Sequence, residues 1–239
     1  LPRHGPRPLR PTAHRVTDPR AQAEAIARAH DENFPVAFLL APRDIRADMQ
    51  AIYAYCRVTD DIGDAGDATR EERLAMLDAW DDDLARCWGG HPDDPILQAL
   101  AQVVARRGLA PEPFHALVDA NRMDQRISRW QTHEDLIDYC RHSAMPVGRM
   151  VLGVLGLDDD RRGYLSDATC AGLQLVNFWQ DIRRDLDERD RVYLPAAPGE
   201  DAVGADRYSA WARYFNGTQL DLVETYEWGW LELRRIETE

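Results

Sequence analysis

Helical periodicity is the feature that most constrains what this 239-residue chain can fold into. Apolar residues recur at helical spacing, no segment keeps the two-residue alternation of a strand, and no Asn-Gly or Asp-Gly hairpin turn stands between β-branched runs. Clusters of glycine and proline separate the helical stretches. The pattern predicts an all-α protein, with helices near Ala21–Asn33, Arg43–Asp64, Thr69–Trp88, Asp94–Arg107, Pro113–Gln125, Thr132–Leu155, Asp160–Asp187 and Tyr208–Arg235.

Composition narrows the classes of function. The length fits one domain better than two, and a formal charge of −13 argues against nucleic acid as a partner and against electrostatic anchoring to an anionic membrane. It does not argue against a small anionic substrate, because a divalent metal reverses the sign of the local field. The four cysteines lack metal-binding or redox spacing and are expected to be reduced thiols.

The start of the chain differs in composition from the rest. Residues 1–20 are rich in proline and arginine and are predicted to form a flexible arm, followed by a single helical domain over residues 21–239. No signal peptide is recognised, and the longest apolar run, Met150–Leu157, is far shorter than the ~20 residues of a spanning helix. We therefore expect a cytoplasmic protein, and the sequence does not indicate its oligomeric state.

The second predicted helix carries a polar stripe near its end. Tyr53, Arg57, Asp60 and Asp64 follow one another at spacings of four, three and four, which return to one helical face. The carboxylates could hold a ligand. The alternative is that Asp60, Asp61 and Asp64 simply cover a solvated helix end before the next turn.

A related stripe lies in the predicted helix over Asp160–Asp187. It consists of Gln174, Asn177, Asp181 and Asp185, at spacings of three, four and four, with apolar residues on both sides. Two carboxylates at i and i+4 between apolar surfaces repel each other unless a cation or a proton lies between them. A functional role is therefore favoured for this second stripe.

The chemistry of the two stripes points to magnesium. Carboxylate and amide oxygens suit Mg²⁺ better than zinc or iron, and Mg²⁺ often completes its coordination with substrate phosphates. Two facing aspartate pairs could hold a diphosphate through metal ions and withdraw electrons from its leaving oxygen. The predicted cofactor is Mg²⁺.

The same segments resemble a known family. Residues 53–64 and 174–185 are similar to the two D-x-x-x-D motifs of squalene/phytoene synthases. Arg191-Val-Tyr193-Leu-Pro195 stands where that family has its R-x-Y-x-P element, and residues 139–148 resemble the helix between the motifs. The resemblance runs from about residue 21 to Pro195. Because it fades there, we expect either that further C-terminal helices are missing or that the bundle closes differently.

The resemblance implies a helical bundle with a central cavity that acts on isoprenoid diphosphates. By resemblance, the magnesium ligands are Asp60, Asp64, Asn177, Asp181 and Asp185. The residues that would bind or orient the substrate are His30, Asn33, Phe34, Arg57, Tyr139, Gln174, Asn177, Arg191 and Tyr193. The catalytic set would be Tyr53, Arg57, Asp60, Asp64, Asp181 and Asp185. Phe34, Phe38 and Tyr139 would shape an apolar tunnel, although core packing explains Phe38 and Tyr139 nearly as well.

Two details indicate a subgroup. The string His30-Asp-Glu-Asn33-Phe34-Pro-Val-Ala resembles the corresponding start of bacterial hydroxysqualene synthases, and Gln180 replaces an arginine that is usual in condensing relatives. The resemblance thus implies conversion of presqualene diphosphate into hydroxysqualene with release of diphosphate, a step of squalene and hopanoid biosynthesis. A lipidic substrate is compatible with transient contact at the inner face of the membrane.

Three alternatives remain open. Within the family, the chain could condense two prenyl diphosphates, as presqualene diphosphate and phytoene synthases do. It could be a non-catalytic relative acting as an assembly factor, although such a protein would be expected to lose motif aspartates. A di-iron carboxylate bundle would need paired Glu-x-x-His motifs, and Glu112-Pro-Phe-His115 is the single instance.

Overall fold

A computed structural model describes residues 18–29 and 42–193, with the side chains of 27–29 excepted. Within these ranges the chain forms α-helices and one short 3₁₀ helix, Arg86–Gly89; the sole β-type pairing there is an isolated bridge between Arg129 and Val192. The α-helices are α1 Pro19–Ala29, α2 Arg43–Gly63, α3 Arg70–Ala85, α4 Pro95–Arg107, α5 Glu112–Asp124, α6 His133–Ser143, α7 Met145–Leu155, α8 Asp160–Gln180 and α9 Ile182–Arg189.

Helix α2 is the centre of the bundle, in contact with α1, α3, α4, α5 and α7. Its buried residues Ile52, Ala54 and Tyr55 belong to the main apolar core. Polar groups on the same face are satisfied inside the core: Tyr55 Oη donates to the Phe114 carbonyl at 2.8 Å, and Trp80 Nε1 donates to Thr59 Oγ1 at 3.0 Å. Because α2 is fixed on all sides, the polar residues at its end are held in place.

Two long helices predicted from the sequence are each divided in two. The predicted helix Thr132–Leu155 breaks at Ala144, because Pro146 in the first turn of α7 cannot continue a preceding helix. The predicted helix Asp160–Asp187 ends at Gln180, and Asp181 stands outside helical geometry before α9 begins. The second polar stripe is therefore not one continuous helical face, and Leu173 beside it is 57% exposed rather than packed.

The all-α class predicted from the sequence is confirmed, and the four cysteines are free thiols as expected. No described helix has the length and apolar character needed to cross a membrane. The predicted helix Tyr208–Arg235 lies outside the described residues, as does the predicted arm up to residue 17.

Candidate active site

The last turn of α2 presents the first polar stripe. Tyr53 is buried, Arg57 pairs with Asp61 at 3.1 Å, and Asp60 accepts a hydrogen bond from Asn121 Nδ2 at 3.2 Å. Burial raises the pKa of Asp60 to about 6; the Asn121 bond opposes this rise, and the nearby Asp64 carboxylate adds to it. Asp60 is therefore a hydrogen-bonded carboxyl with a raised pKa. The alternative, that it merely covers a solvated helix end, does not describe it.

Close contact between α2 and α5 fixes this end of α2. Gln125 Nε2 donates to the Gly63 carbonyl at 2.9 Å, and Asn121 Nδ2 donates to the Leu117 carbonyl as well as to Asp60. Gly63 lies against Asn121 so closely that a methyl group at position 63 would overlap its amide. Glycine is needed there for the approach of the two helices.

The second stripe is positioned by α8 and α9. Gln174 is half-buried and Asn177 is exposed on α8, whereas Asp185 is buried on α9 and accepts a bond from Arg189 Nη1 at 2.9 Å. Burial raises the pKa of Asp185, and the Arg189 guanidinium opposes the rise. Helix α9 ends at Arg189. The next residue, Asp190, has a left-handed backbone (φ 50°), unusual for a non-glycine residue, and turns the chain toward Arg191.

One arginine joins the first stripe to the second, and another joins the first stripe to α5. Arg189 Nη2 lies 3.1 Å from Asp64 Oδ2, so that its guanidinium bridges Asp64 and Asp185. Arg191 Nη1 lies 3.6 Å from Asp64 Oδ1 and 3.5 Å from Asp124 Oδ2. The two aspartate motifs, distant in sequence, therefore meet at one place.

Asp124 on α5 is a site residue that the sequence analysis missed. Its Oδ2 accepts a hydrogen bond from Tyr139 Oη at 2.9 Å, and its Oδ1 accepts one from Tyr193 Oη at 3.0 Å. Burial raises its pKa to about 6, against the lowering effects of Arg191 and the two hydroxyls. One sequence feature could have indicated Asp124. Asn121, Asp124 and Gln125 are polar residues close together at the end of a helix whose other buried residues are apolar.

An aromatic cluster surrounds the two tyrosines. Tyr193 stacks on Phe178 with ring centroids 4.3 Å apart and contacts Tyr139 at 5.4 Å, while Trp130 lies 4.8 Å from Tyr139. Burial raises the pKa of both tyrosines above the usual value, so their hydroxyls stay protonated and donate to Asp124. Aromatic faces of this kind can stabilise a carbocation.

A cavity of about 530 Å³ opens beside these groups. Asp64, Asp124, Arg189 and Arg191 line it, together with residues of α3 and of the segment that follows α5. The cavity thus exposes the arginine-linked carboxylates to a ligand.

The donor set suits magnesium in chemistry but is not gathered as an ion site. All five predicted ligands offer oxygen atoms, which Mg²⁺ prefers. In the described ranges no three His, Cys, Asp or Glu side chains are close enough to hold a metal ion, and Arg189 supplies the cation between Asp64 and Asp185. A guanidinium spans the two carboxylates through two separate nitrogens, whereas Mg²⁺ would need both oxygens much closer to one point, and the predicted ligands remain predictions.

The structure brings together part of the predicted site that it describes. Arg189 links Asp64 to Asp185, and Arg191 links Asp64 to Asp124, which Tyr193 also contacts. The other predicted residues in the described ranges do not line the cavity: Tyr53, Arg57, Asp60, Gln174, Asn177 and Asp181. Tyr139, for which core packing was equally plausible, belongs to this group through Asp124. The predicted residues His30, Asn33 and Phe34, and Phe38 with them, lie outside the described residues.

An all-α bundle in which two aspartate-bearing helix ends meet at a cavity is an isoprenoid-synthase-type fold. Sequence comparison then identifies the family: the squalene/phytoene synthase family model matches residues 27–210, and the chain belongs to this family. This is the family that the sequence was found to resemble.

Curated relatives include hydroxysqualene synthases. The chain is 36% identical over 177 residues to the one from Zymomonas mobilis, which covers 73% of this chain and 58% of the relative. It is 39% identical over 166 residues to the one from Rhodopseudomonas palustris, covering 69% of this chain and 55% of the relative. The chain therefore spans little more than half the length of these relatives.

Solved structures give the same family. The squalene synthase HpnC from Alicyclobacillus acidocaldarius superposes with a TM-score of 0.70 at 39% identity, covering 92% of this chain and 83% of that one. A dehydrosqualene synthase superposes with a TM-score of 0.67 at 23% identity, which supports the fold.

Proposed function

We propose that this chain catalyses the magnesium-dependent conversion of presqualene diphosphate into hydroxysqualene, with release of diphosphate. The observation that carries the proposal is a chain of contacts beside one cavity: Arg189 links Asp64 to Asp185 of the second motif, and Arg191 links Asp64 to Asp124, which accepts bonds from Tyr139 and Tyr193. The similarity to hydroxysqualene synthases from Zymomonas and Rhodopseudomonas supports the choice of reaction. The start of the sequence around His30 and the glutamine at position 180 support it further.

The proposed roles follow from charge and position. Arg57 and Arg191 offer planar guanidinium groups that match phosphate oxygens and would bind the diphosphate. Magnesium held by Asp60, Asp64, Asn177, Asp181 and Asp185 would add Lewis-acid withdrawal of electrons from the leaving oxygen. The carbon–oxygen bond then breaks with its electron pair on diphosphate, leaving a cyclopropylcarbinyl cation.

The aromatic cluster would protect this cation. The electron-rich rings of Tyr193 and Phe178 would stabilise positive charge nearby, and their burial would exclude bulk water while the ring opens and the new linkage forms. Water then adds to the rearranged cation and loses a proton. Among the described residues, we assign that proton to Asp124, reached through the Tyr193 hydroxyl, because a carboxyl with a pKa of about 6 can accept it at neutral pH.

A second candidate is head-to-head condensation of two prenyl diphosphates. Two matches favour it: a presqualene diphosphate synthase from Rhodopseudomonas palustris, 34% identical over 186 residues, and a 15-cis-phytoene synthase from Synechococcus elongatus, 32% identical over 200 residues. They cover 77% and 79% of this chain and 64% of each relative. The two candidates differ in whether the substrate already contains both prenyl chains.

The test is to incubate the purified protein with Mg²⁺ and either presqualene diphosphate or farnesyl diphosphate and to identify lipid products by mass spectrometry. We expect hydroxysqualene from presqualene diphosphate alone, lost in Asp181→Asn and kept in Asp82→Asn, which removes an exposed carboxylate of α3. Presqualene diphosphate made from farnesyl diphosphate would select the condensing reaction. No product from either substrate, also with a protein as long as the relatives, would favour the non-catalytic alternative.

A further inference from the structure

One wall of the cavity carries arginines that the proposed chemistry does not use. Arg70 and Arg73 extend from the first turn of α3, and Arg126 follows α5. None of the three forms an ion pair with a carboxylate in the described ranges, whereas most arginines there, such as Arg122 and Arg149, do. In an acidic protein this concentration of unneutralised guanidinium groups at one cavity needs an explanation.

The acidic residues of the same cavity do not neutralise this wall, because each is engaged elsewhere. Asp124 accepts bonds from the two tyrosines, and Asp64 is bound by Arg189 and Arg191. The other three pair with arginines that do not belong to the wall: Asp187 with Arg183 at 3.6 Å, Glu188 with Arg184 at 3.3 Å and Asp190 with Arg129 at 2.7 Å. Arg70, Arg73 and Arg126 therefore have no carboxylate partner among the described residues that line the cavity.

Arg73 is fixed in place without losing its charge. Its Nε and Nη2 donate to the Ala68 carbonyl at 3.2 and 2.9 Å, and its Nη1 donates to Gln125 Oε1 at 3.3 Å. Gln125 is itself fixed by the bond from its amide to the Gly63 carbonyl. Neutral acceptors thus orient a half-buried guanidinium toward the cavity rim, which lowers the entropy cost of binding an anion there.

We propose that Arg70, Arg73 and Arg126 form a second anion subsite that binds a diphosphate group, separate from the position between the motif aspartates. A cavity of about 530 Å³ has room for such a group, and the forks of Arg70 and Arg126, together with the remaining N–H groups of Arg73, match its several oxygens. The choice of diphosphate rests on the proposed function. The group belongs either to the free leaving diphosphate or to the prenyl diphosphate as it enters.

The test is calorimetric titration of inorganic diphosphate into the 239-residue chain, with EDTA present so that no metal contributes. The double variant Arg70→Gln/Arg126→Gln removes two exposed guanidinium groups that make no described side-chain bond, so it should fold. We expect its dissociation constant to rise about tenfold or more. The matched control is Arg161→Gln, which removes an exposed arginine of α8 outside the cavity and should bind as wild type does. Absence of binding to wild type, or equal binding by the double variant, would overturn the proposal.

Steady-state measurements of product inhibition and of KM distinguish the two sources of the diphosphate group. If the double variant shows weaker product inhibition by diphosphate at an unchanged KM, the subsite holds the leaving group. If instead KM for the prenyl diphosphate rises, the subsite holds the substrate, and either result supports the shared chemistry. Because the binding measurement needs no turnover, an inactive protein that binds diphosphate through this wall would refute the proposed function and keep this inference.

Discussion

Replacing Asp124 by asparagine should stabilise the protein at neutral pH and remove part of its pH dependence. Burial raises the pKa of this carboxyl from 3.8 to about 6. The folded state then binds more protons than the unfolded state between these values. The contribution of Asp124 to stability is therefore complete below pH 3.8 and is lost as the pH rises through about 6. The difference between these two pKa values lowers the unfolding free energy of the wild type by ~3 kcal/mol at pH 7. An asparagine at this position has no such loss, because its amide does not ionise.

The assay is chemical denaturation of wild type and Asp124→Asn at about pH 7.5 and about pH 4.5. When the pH is lowered from about 7.5 to about 4.5, the unfolding free energy of the wild type should rise by ~2 kcal/mol relative to that of the variant. The reason is that only the wild type has a carboxyl at position 124 to protonate. Asp82→Asn, in an exposed position on α3, controls for the loss of one negative charge. If the free-energy difference between Asp124→Asn and wild type were equal at both pH values, burial would not be raising this pKa and the reasoning would fail.

Three further substitutions test the site. Tyr193→Phe keeps the stacked ring but removes the hydroxyl bound to the α5 carboxyl, so kcat should fall about tenfold or more in a steady-state assay, with ~1 kcal/mol or less lost in unfolding free energy. Arg189→Gln leaves the two motif carboxylates it bridges to repel each other, so Mg²⁺ should raise the melting temperature of the variant more than that of wild type; an equal rise would contradict this. Gly63→Ala places a methyl group against Asn121 and should cost ~1–3 kcal/mol by chemical denaturation, while Gly66→Ala, with open space around it, should cost less.

The helical architecture could be predicted because local signals agree with it. Helices α2, α4 and α5 end within one residue of their predicted ends, and glycine marks the first two of these ends, at Gly63 and Gly108. The break before α7 also had a local signal, since Pro146 interrupts an otherwise helical pattern. The break at Asp181 had none: residues on both sides favour a helix, and the direction of α9 depends on contacts of Asp185 and Arg189 with distant parts of the chain.

The candidate site was predictable where it consists of motifs and was missed where it depends on tertiary contact. Asp60 and Asp64 stand in a spaced pair that a helix aligns, and Asp185 stands in a second such pair in the sequence, although the helix breaks at Asp181. Asp124 stands in no such pair, and its role arises because Tyr139 and Tyr193, distant from each other in sequence, reach the same carboxyl. Spacing along the chain cannot reveal a carboxyl whose partners come from two other elements.

The short segment after the second motif explains how the two halves of the site are joined. Arg189 and Arg191 would lie on different sides of a continuing helix, but the left-handed backbone at Asp190 ends α9 between them. The Arg191 amide donates to the Asp185 carbonyl, and the Val192 amide donates to the Ser128 carbonyl, each at 3.0 Å. These bonds fix the backbone so that two arginines reach Asp64 and Tyr193 reaches the α5 carboxyl. One turn therefore sets the charge balance between the aspartate motifs and the position of the aromatic cluster, so that under the proposed function both diphosphate binding and protection of the cation would depend on this segment.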